Sequence, residues 1–138
     1  MSFAHQMERR PLLSSERQLF GQQLMSFTKT KYYSYKIGDL PKGCQYCVRG
    51  EKLVLFITGL CPRHCYFCPI SEKKYQKDVV FANERPVQSF NDIKTEAKLM
   101  KALGAGITGG DPLAKLNRTL NYIKNLKKTF GRKFHIHL

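Results

Sequence analysis

Residues 52–58 read Lys52-Leu53-Val54-Leu55-Phe56-Ile57-Thr58, and after Gly59-Leu60 the chain continues Cys61-Pro62-Arg63-His64-Cys65-Tyr66-Phe67-Cys68. The apolar run is too short for a helix and rich in β-branched and aromatic side chains, which predicts a strand buried on both faces. A cysteine-rich loop leaves that strand directly. After a polar connection, Ser89 and Asp92 form a variant capping box, and Ile93, Ala97, Met100 and Leu103 keep helical spacing up to Gly104. Ala105 to Thr108 reads as a second strand, ending at Gly109-Gly110. Asp111-Pro112 then supplies an N-cap and first helical position. Leu113, Leu116, Leu120, Ile123 and Leu126 form an apolar stripe, and Gly131 a stop. Lys133 to Leu138 reads as a third strand. Strands alternating with helices predict a parallel α/β architecture.

Upstream, residues 14–30 open with serines and place Leu19, Phe20, Leu24 and Phe27 at mainly helical spacing, which predicts a short helix. Lys29, Lys31 and Lys36 then interleave with Tyr32, Tyr33 and Tyr35. That pattern fits stacking on nucleobases, and equally a strand with Tyr33, Tyr35 and Ile37 on one half-buried face.

At 138 residues, with 42% hydrophobic and 25% charged side chains, the chain has the composition of one globular domain and excludes wholesale disorder. Its longest apolar run, Leu53 to Ile57, is far below the roughly 20 residues of a membrane-spanning helix. The opening MSFAHQMERR lacks a signal-peptide pattern, so the expectation is a cytoplasmic protein without membrane association. The formal charge is +14, and residues 112–138 carry seven basic side chains and no acidic one. Such a field attracts nucleic acids or phosphorylated substrates, and it is equally compatible with a solvated basic surface.

All five cysteines fall between Cys44 and Cys68. Crowding, an odd count and the absence of a leader point to metal ligation rather than disulfides. Three thiolates on the loop Cys61-x3-Cys65-x2-Cys68 can hold three irons of a four-iron cluster and leave the fourth open for chemistry. This run resembles the cluster motif of the radical S-adenosylmethionine superfamily, in which an aromatic residue, here Phe67, usually precedes the last cysteine. The resemblance implies a 4Fe-4S cluster on Cys61, Cys65 and Cys68. S-adenosylmethionine would be chelated at the open iron and cleaved reductively to a 5′-deoxyadenosyl radical that abstracts hydrogen from substrate.

Gly109-Gly110-Asp111-Pro112 is similar to the family's GGEP motif, which contacts the amino group of the cofactor. Phe67, Gly109, Gly110 and Asp111 are therefore the candidate cofactor-binding residues. Asp111 is one methylene shorter than the usual Glu, and an N-cap role stands beside a cofactor role. Within the family, GAGITGGDPL and KFHIHL look most like an archaeal-type group related to the activating enzymes of pyruvate formate-lyase.

The implied fold is the N-terminal half of a partial (β/α)6 TIM-type barrel. Residues 51–138 would be the incomplete barrel domain with its first three strands, and residues 1–50 a small helical, cysteine-containing extension. The open edge left by three parallel strands marks the chain as the N-terminal part of a longer protein. The implied partners are an electron donor such as ferredoxin or flavodoxin and a phosphorylated, nucleic-acid or protein substrate.

His135 and His137 alternate with Phe134, Ile136 and Leu138 on the last strand. In a barrel sheathed by helices the histidine face meets the lumen, which makes both histidines candidates for facing substrate; a structural role is the alternative. His64 is read as solvated rather than as a ligand.

The same cysteines permit a rival. Cys44-x2-Cys47, 17 residues, then Cys65-x2-Cys68 fits a structural zinc site, and with the basic charge would make a zinc-ribbon nucleic-acid-binding module. That reading leaves Cys61 and the Gly-Gly-Asp-Pro segment unused. In the radical-enzyme reading, Cys44 and Cys47 are left for part of a zinc site, an auxiliary cluster or a thiol pair.

Overall fold

A computed structural model describes residues 27–138. The predicted helix at 14–30 lies outside them except for its last residues, and there Thr28–Lys29 form a strand instead. The chain divides into two compact units, Met1–Asp39 and Leu40–Leu138. The division falls before the Cys44/Cys47 segment, which groups with the sheet rather than with an extension ending at residue 50.

In the first unit, β1 (Thr28–Lys29) pairs antiparallel with β2 (Tyr35–Lys36). The turn between them is closed by the Thr30 N–H donating to the Ser34 carbonyl at 2.8 Å. Tyr33 sits in that turn with φ +57°, and Tyr33, Tyr35 and Ile37 are all exposed. They do not form the half-buried strand face.

The second unit contains α1 (Lys42–Val48), β3 (Lys52–Phe56), β4 (Phe81–Ala82), β5 (Arg85–Pro86), α2 (Phe90–Leu99), β6 (Gly104–Thr108), the 3-10 turn Pro112–Lys115, α3 (Leu116–Phe130) and β7 (His135–His137). The sheet order is β5-β4-β3-β6-β7. Its β3, β6 and β7 are parallel, as the strand-helix alternation predicts, and β4 and β5 run antiparallel beside β3.

One face of the sheet carries Leu53, Leu55, Ile57, Ala105 and Ile107, which pack on Ile93 and Ala97 of α2 and Leu126 of α3. The other carries Lys52, Val54, Phe56, Gly104, Gly106, Thr108, His135 and His137, aligned by the parallel register. Val54 is 45% exposed there, so β3 is not buried on both faces.

The capping of α2 is as expected: the Asp92 carboxylate accepts from the backbone N–H groups of Gln88 (3.0 Å) and Ser89 (2.8 Å), and these bonds hold its pKa below the ordinary value. The helix itself stops at Leu99, before Gly104. In α3 the buried stripe is Thr119, Tyr122, Ile123, Leu126 and Phe130, whereas Leu113, Leu116 and Leu120 are exposed. Leu116 and Leu120 belong to the same unbroken helix as Leu126 and stand roughly 80° and 120° around its axis from that residue, on the flank of the inward face, while Leu113 lies in the 3-10 turn before it.

The polar connection contains the β4–β5 hairpin. Asn83 sits at its turn with φ +53°, a conformation asparagine tolerates better than most residues. Its Oδ1 accepts from the Val54 N–H (3.0 Å) and its backbone N–H donates to the Val54 carbonyl (2.7 Å). The edge of β3 is thereby covered rather than open.

Candidate functional site

Past Phe56 the alignment of β3 with β6 continues into the two loops. The Ile57 N–H donates to the Thr108 carbonyl, the Gly110 N–H to Thr58, and the Asp111 N–H to Leu60, at 2.7–2.9 Å. A Cβ on Gly109 would fall 2.6 Å from the Thr58 carbonyl oxygen, and one on Gly110 2.6 Å from that of Leu60. The paired glycines thus allow the two segments to lie backbone against backbone. This fixes the start of the cysteine loop beside the Gly-Gly segment.

The loop is closed at its base. Gly59 exchanges backbone hydrogen bonds with residues 76 and 77: its N–H donates to Lys77 and its carbonyl accepts from Gln76. The Gln76 side chain donates to the Cys61 carbonyl at 2.8 Å and accepts from the Cys61 N–H at 3.4 Å.

Just beyond, the Asp78 carboxylate accepts from the buried Thr58 hydroxyl (2.9 Å), from Lys115 (3.0 Å) and from both terminal nitrogens of Arg118. Arg118 also donates to the Ile57 carbonyl at 3.1 Å. The Arg118 hydrogen bonds, with those of Lys115 and Thr58, hold the Asp78 carboxyl well below the usual carboxylate range, and Asp78 in turn raises the Arg118 pKa. The network ties the end of β3, the return of the cysteine loop and the start of α3 into one frame.

Above this frame lies a cavity of about 540 Å³, a size ordinary for a cofactor or small-ligand site. Cys61, Cys65 and Cys68 all line it, with Phe67, Phe56, Thr108, Gly109 and Gly110. The two motifs identified separately in the sequence therefore share one cavity at the C-terminal ends of adjacent parallel strands. Among the described residues, no three His, Cys, Asp or Glu side chains converge on a point that a single ion could occupy. Three thiols on the wall of one cavity are the donor type that holds an iron-sulfur cluster with one iron left open.

Asp111 does not line the cavity. Its Oδ1 accepts from the Leu113 N–H at 2.9 Å and caps the 3-10 turn, which is the structural alternative for this residue. His64 is exposed, with Nδ1 3.3 Å from the Tyr75 hydroxyl.

His135 and His137 lie on the sheet face opposite α2 and α3, with Phe134 and Ile136 toward the helices, as the alternation predicts. They pair with Gly104 and Gly106, three to five residues, or roughly 10–17 Å along the strand, before Gly109. There α1 covers them: a Cβ on Gly43 would sit 2.9 Å from His135 Cε1 and 3.3 Å from His137 Nδ1. Lys52 Nζ stands 2.7 Å from His137 Nδ1 and 3.0 Å from Nε2, and the Tyr46 ring meets His135 edge-on. The pair lies under α1 and does not line the cavity.

Cys44 and Cys47 ride on α1, and both are exposed. The structure does not bring them together with Cys65 and Cys68, so the four-cysteine zinc site is not assembled. Sequence reasoning missed Lys74, Gln76 and Asp78, polar residues between motifs that no spacing rule marks.

Among the described residues no helix is long and apolar enough to cross a membrane. No protein-family model matches the chain, and no solved structure matches it closely enough to compare. Over 108 residues, 78% of its length, the chain is 53% identical to a protein of Methanocaldococcus jannaschii described as "Putative glycyl-radical enzyme activating enzyme", and those residues span 28% of that relative's length.

Proposed function

We propose that the chain carries the cluster-binding and S-adenosylmethionine-binding part of a radical enzyme that activates a glycyl-radical enzyme. The observation that carries this reading is the single cavity shared by Cys61, Cys65, Cys68 and the Thr108-Gly109-Gly110 segment. The similarity to a relative described as an activating enzyme supports it and favours a protein substrate over a phosphorylated or nucleic-acid one. The parallel β3, β6 and β7, with α2 and α3 on one face, are consistent with the opening of a (β/α)6 barrel whose site lies at the strand C-termini. The natural partners of such an enzyme are a low-potential electron donor, such as ferredoxin or flavodoxin, and the protein it activates, all in the cytoplasm.

Cys61, Cys65 and Cys68 would hold a 4Fe-4S cluster. That group, with S-adenosylmethionine, supplies one-electron cleavage of a sulfonium to a carbon radical. The chain's own residues hold and shield it. Gln76 fixes the backbone of Cys61, the buried Phe56 furnishes apolar wall, and the exposed Phe67 stands at the cavity mouth. The N–H groups of Gly110 and Asp111 are spent on Thr58 and Leu60, and the carbonyl oxygens of the Gly-Gly backbone are acceptors of the kind an ammonium group needs.

The test is anaerobic reconstitution with iron and sulfide, followed by iron analysis and an assay for 5′-deoxyadenosine. The expected result is about four irons per chain, lost in Cys61→Ala, Cys65→Ala and Cys68→Ala and kept in Cys44→Ala and Cys47→Ala. A colourless protein whose single zinc depends on Cys44, Cys47, Cys65 and Cys68 would overturn the proposal in favour of the zinc module.

A further inference from the structure

We propose that Lys74 is the carboxylate-binding residue of the cavity, and that Glu84 is a resident carboxylate which a bound ligand displaces. The inference rests on the reading given under Proposed function and names the group of the cofactor that Lys74 recognises.

Lys74 and Glu84 both line the cavity that holds the three cysteines. The Lys74 side chain is only 15% exposed, with Nζ 4.4 Å from the centroid of the Phe81 ring and 5.5 Å from that of Phe56. Its backbone is equally constrained. The Lys74 N–H donates to the Ser71 carbonyl at 2.8 Å, and its own carbonyl oxygen lies where a Cβ on Gly59 would be, 1.6 Å from that position. The ammonium is therefore a fixed charge, half enclosed by aromatic faces that attract cations and exclude water.

Its anionic partner is held differently. Glu84 Oε2 stands 3.0 Å from Lys74 Nζ, but Glu84 sits on the β4–β5 turn and its side chain is 89% exposed. An ion pair to so exposed a carboxylate is weak, and Glu84 regains full hydration by turning outward. Lys74 has no such freedom, and a charge left alone in partial burial favours a new counter-ion.

The chemistry of that counter-ion is set by the one already present: a carboxylate oxygen fits at Lys74 without any rearrangement of its surroundings. The Gly109-Gly110 carbonyls of the same cavity suit an ammonium. A cation and a set of carbonyl acceptors in one cavity match the two ends of an α-amino acid group, such as the methionyl moiety of S-adenosylmethionine.

The proposal is tested by measuring dissociation constants for S-adenosylmethionine and for its carboxylate methyl ester in the reconstituted full chain. The proteins compared are wild type, Lys74→Met, which keeps the apolar stem, and Glu84→Gln, which removes the competitor. Circular dichroism and iron content establish that each variant is folded and loaded.

Lys74→Met should weaken S-adenosylmethionine binding about 10- to 100-fold, the usual range for loss of a charge-assisted hydrogen bond. Its preference for the acid over the ester should shrink about 10-fold or more relative to wild type, the remainder belonging to chelation at the open iron. Glu84→Gln should bind at least as tightly as wild type. Wild-type affinity and acid preference in Lys74→Met would overturn the inference and leave the functional reading standing. A loaded wild type that binds neither compound would overturn both.

Discussion

Arg118 grips Asp78 with both terminal nitrogens of its guanidinium, at 2.5 and 3.1 Å, across forty residues of chain. With Lys115 and the Thr58 hydroxyl on the same carboxylate, Asp78 joins the end of β3, the return of the cysteine loop and the start of α3. Asp78→Asn should cost about 1–2 kcal/mol, modest because all the charged members are partly exposed.

The pH dependence has a definite sign. The folded-state pKa of Asp78 is depressed, so its contribution is fully present above the ordinary carboxylate value of 3.8 and is lost as pH falls toward the folded-state value. Urea midpoints of wild type and Asp78→Asn should differ at pH 7 and converge in acid. A gap that does not narrow between pH 4 and pH 2 would mean that the loss is one of packing rather than charge.

Gln76 combines an amide that holds both backbone groups of Cys61 with a left-handed backbone, φ +53°. Gln76→Ala loses the hydrogen bonds and keeps the strain, whereas Gln76→Gly loses the same bonds and relieves the strain. The glycine variant should therefore be the more stable of the two by about 1 kcal/mol, read from denaturant midpoints.

Gly59 tolerates no side chain, because a Cβ would lie 1.6 Å from the Lys74 carbonyl oxygen. Gly59→Ala should destabilise by about 3 kcal/mol or more, at or above the upper end of ordinary overpacking. Gly50, with φ +72° and open space around it, should lose only about 1 kcal/mol on the same change, from backbone strain alone. Equal losses at the two sites would contradict the close approach of the loop to its own base.

Two leucines of α3 separate core from surface. Leu126 is fully buried among the β3 and β6 side chains, and Leu126→Ala should cost about 2–5 kcal/mol. Leu120, 43% exposed, should cost below about 0.5 kcal/mol when changed to alanine, beyond the small gain from helix propensity. Thermal melts of the two variants decide which face of the helix is inward.

The sheet was legible in the sequence where pattern and punctuation agree. The run at 52–57, the Ser89–Asp92 box and the Gly109-Gly110-Asp111-Pro112 boundary each correspond to an observed element or cap. The β4–β5 hairpin was not legible as a strand pair, because two-residue strands lack a periodic signal, although Val79-Val80-Phe81-Ala82-Asn83 carried the apolar run and turn residue that could have marked it.

The stripe of α3 was drawn too wide: Leu116 and Leu120 sit on the flank of the inward face, where leucine spacing alone does not separate core from margin, and Leu113 precedes the helix in the 3-10 turn. At the site, the cysteines and glycines announced themselves by spacing. Lys74, Gln76 and Asp78 matter through contacts made only after the loop folds back, and long-range closure leaves no local mark. The histidines show the converse: their sheet face was legible from alternation, but the helix that covers them was not.

The hairpin beside β3 gives the sheet a direction of growth. Its outer strand is two residues long and includes Pro86, which has no N–H to donate, so that border offers little to a joining strand. Any further strand, from this chain or another, finds its backbone partners at the β7 border. Strand pairing at this sheet is thereby steered to one side, away from the hairpin and from the wall of the cysteine cavity beside it.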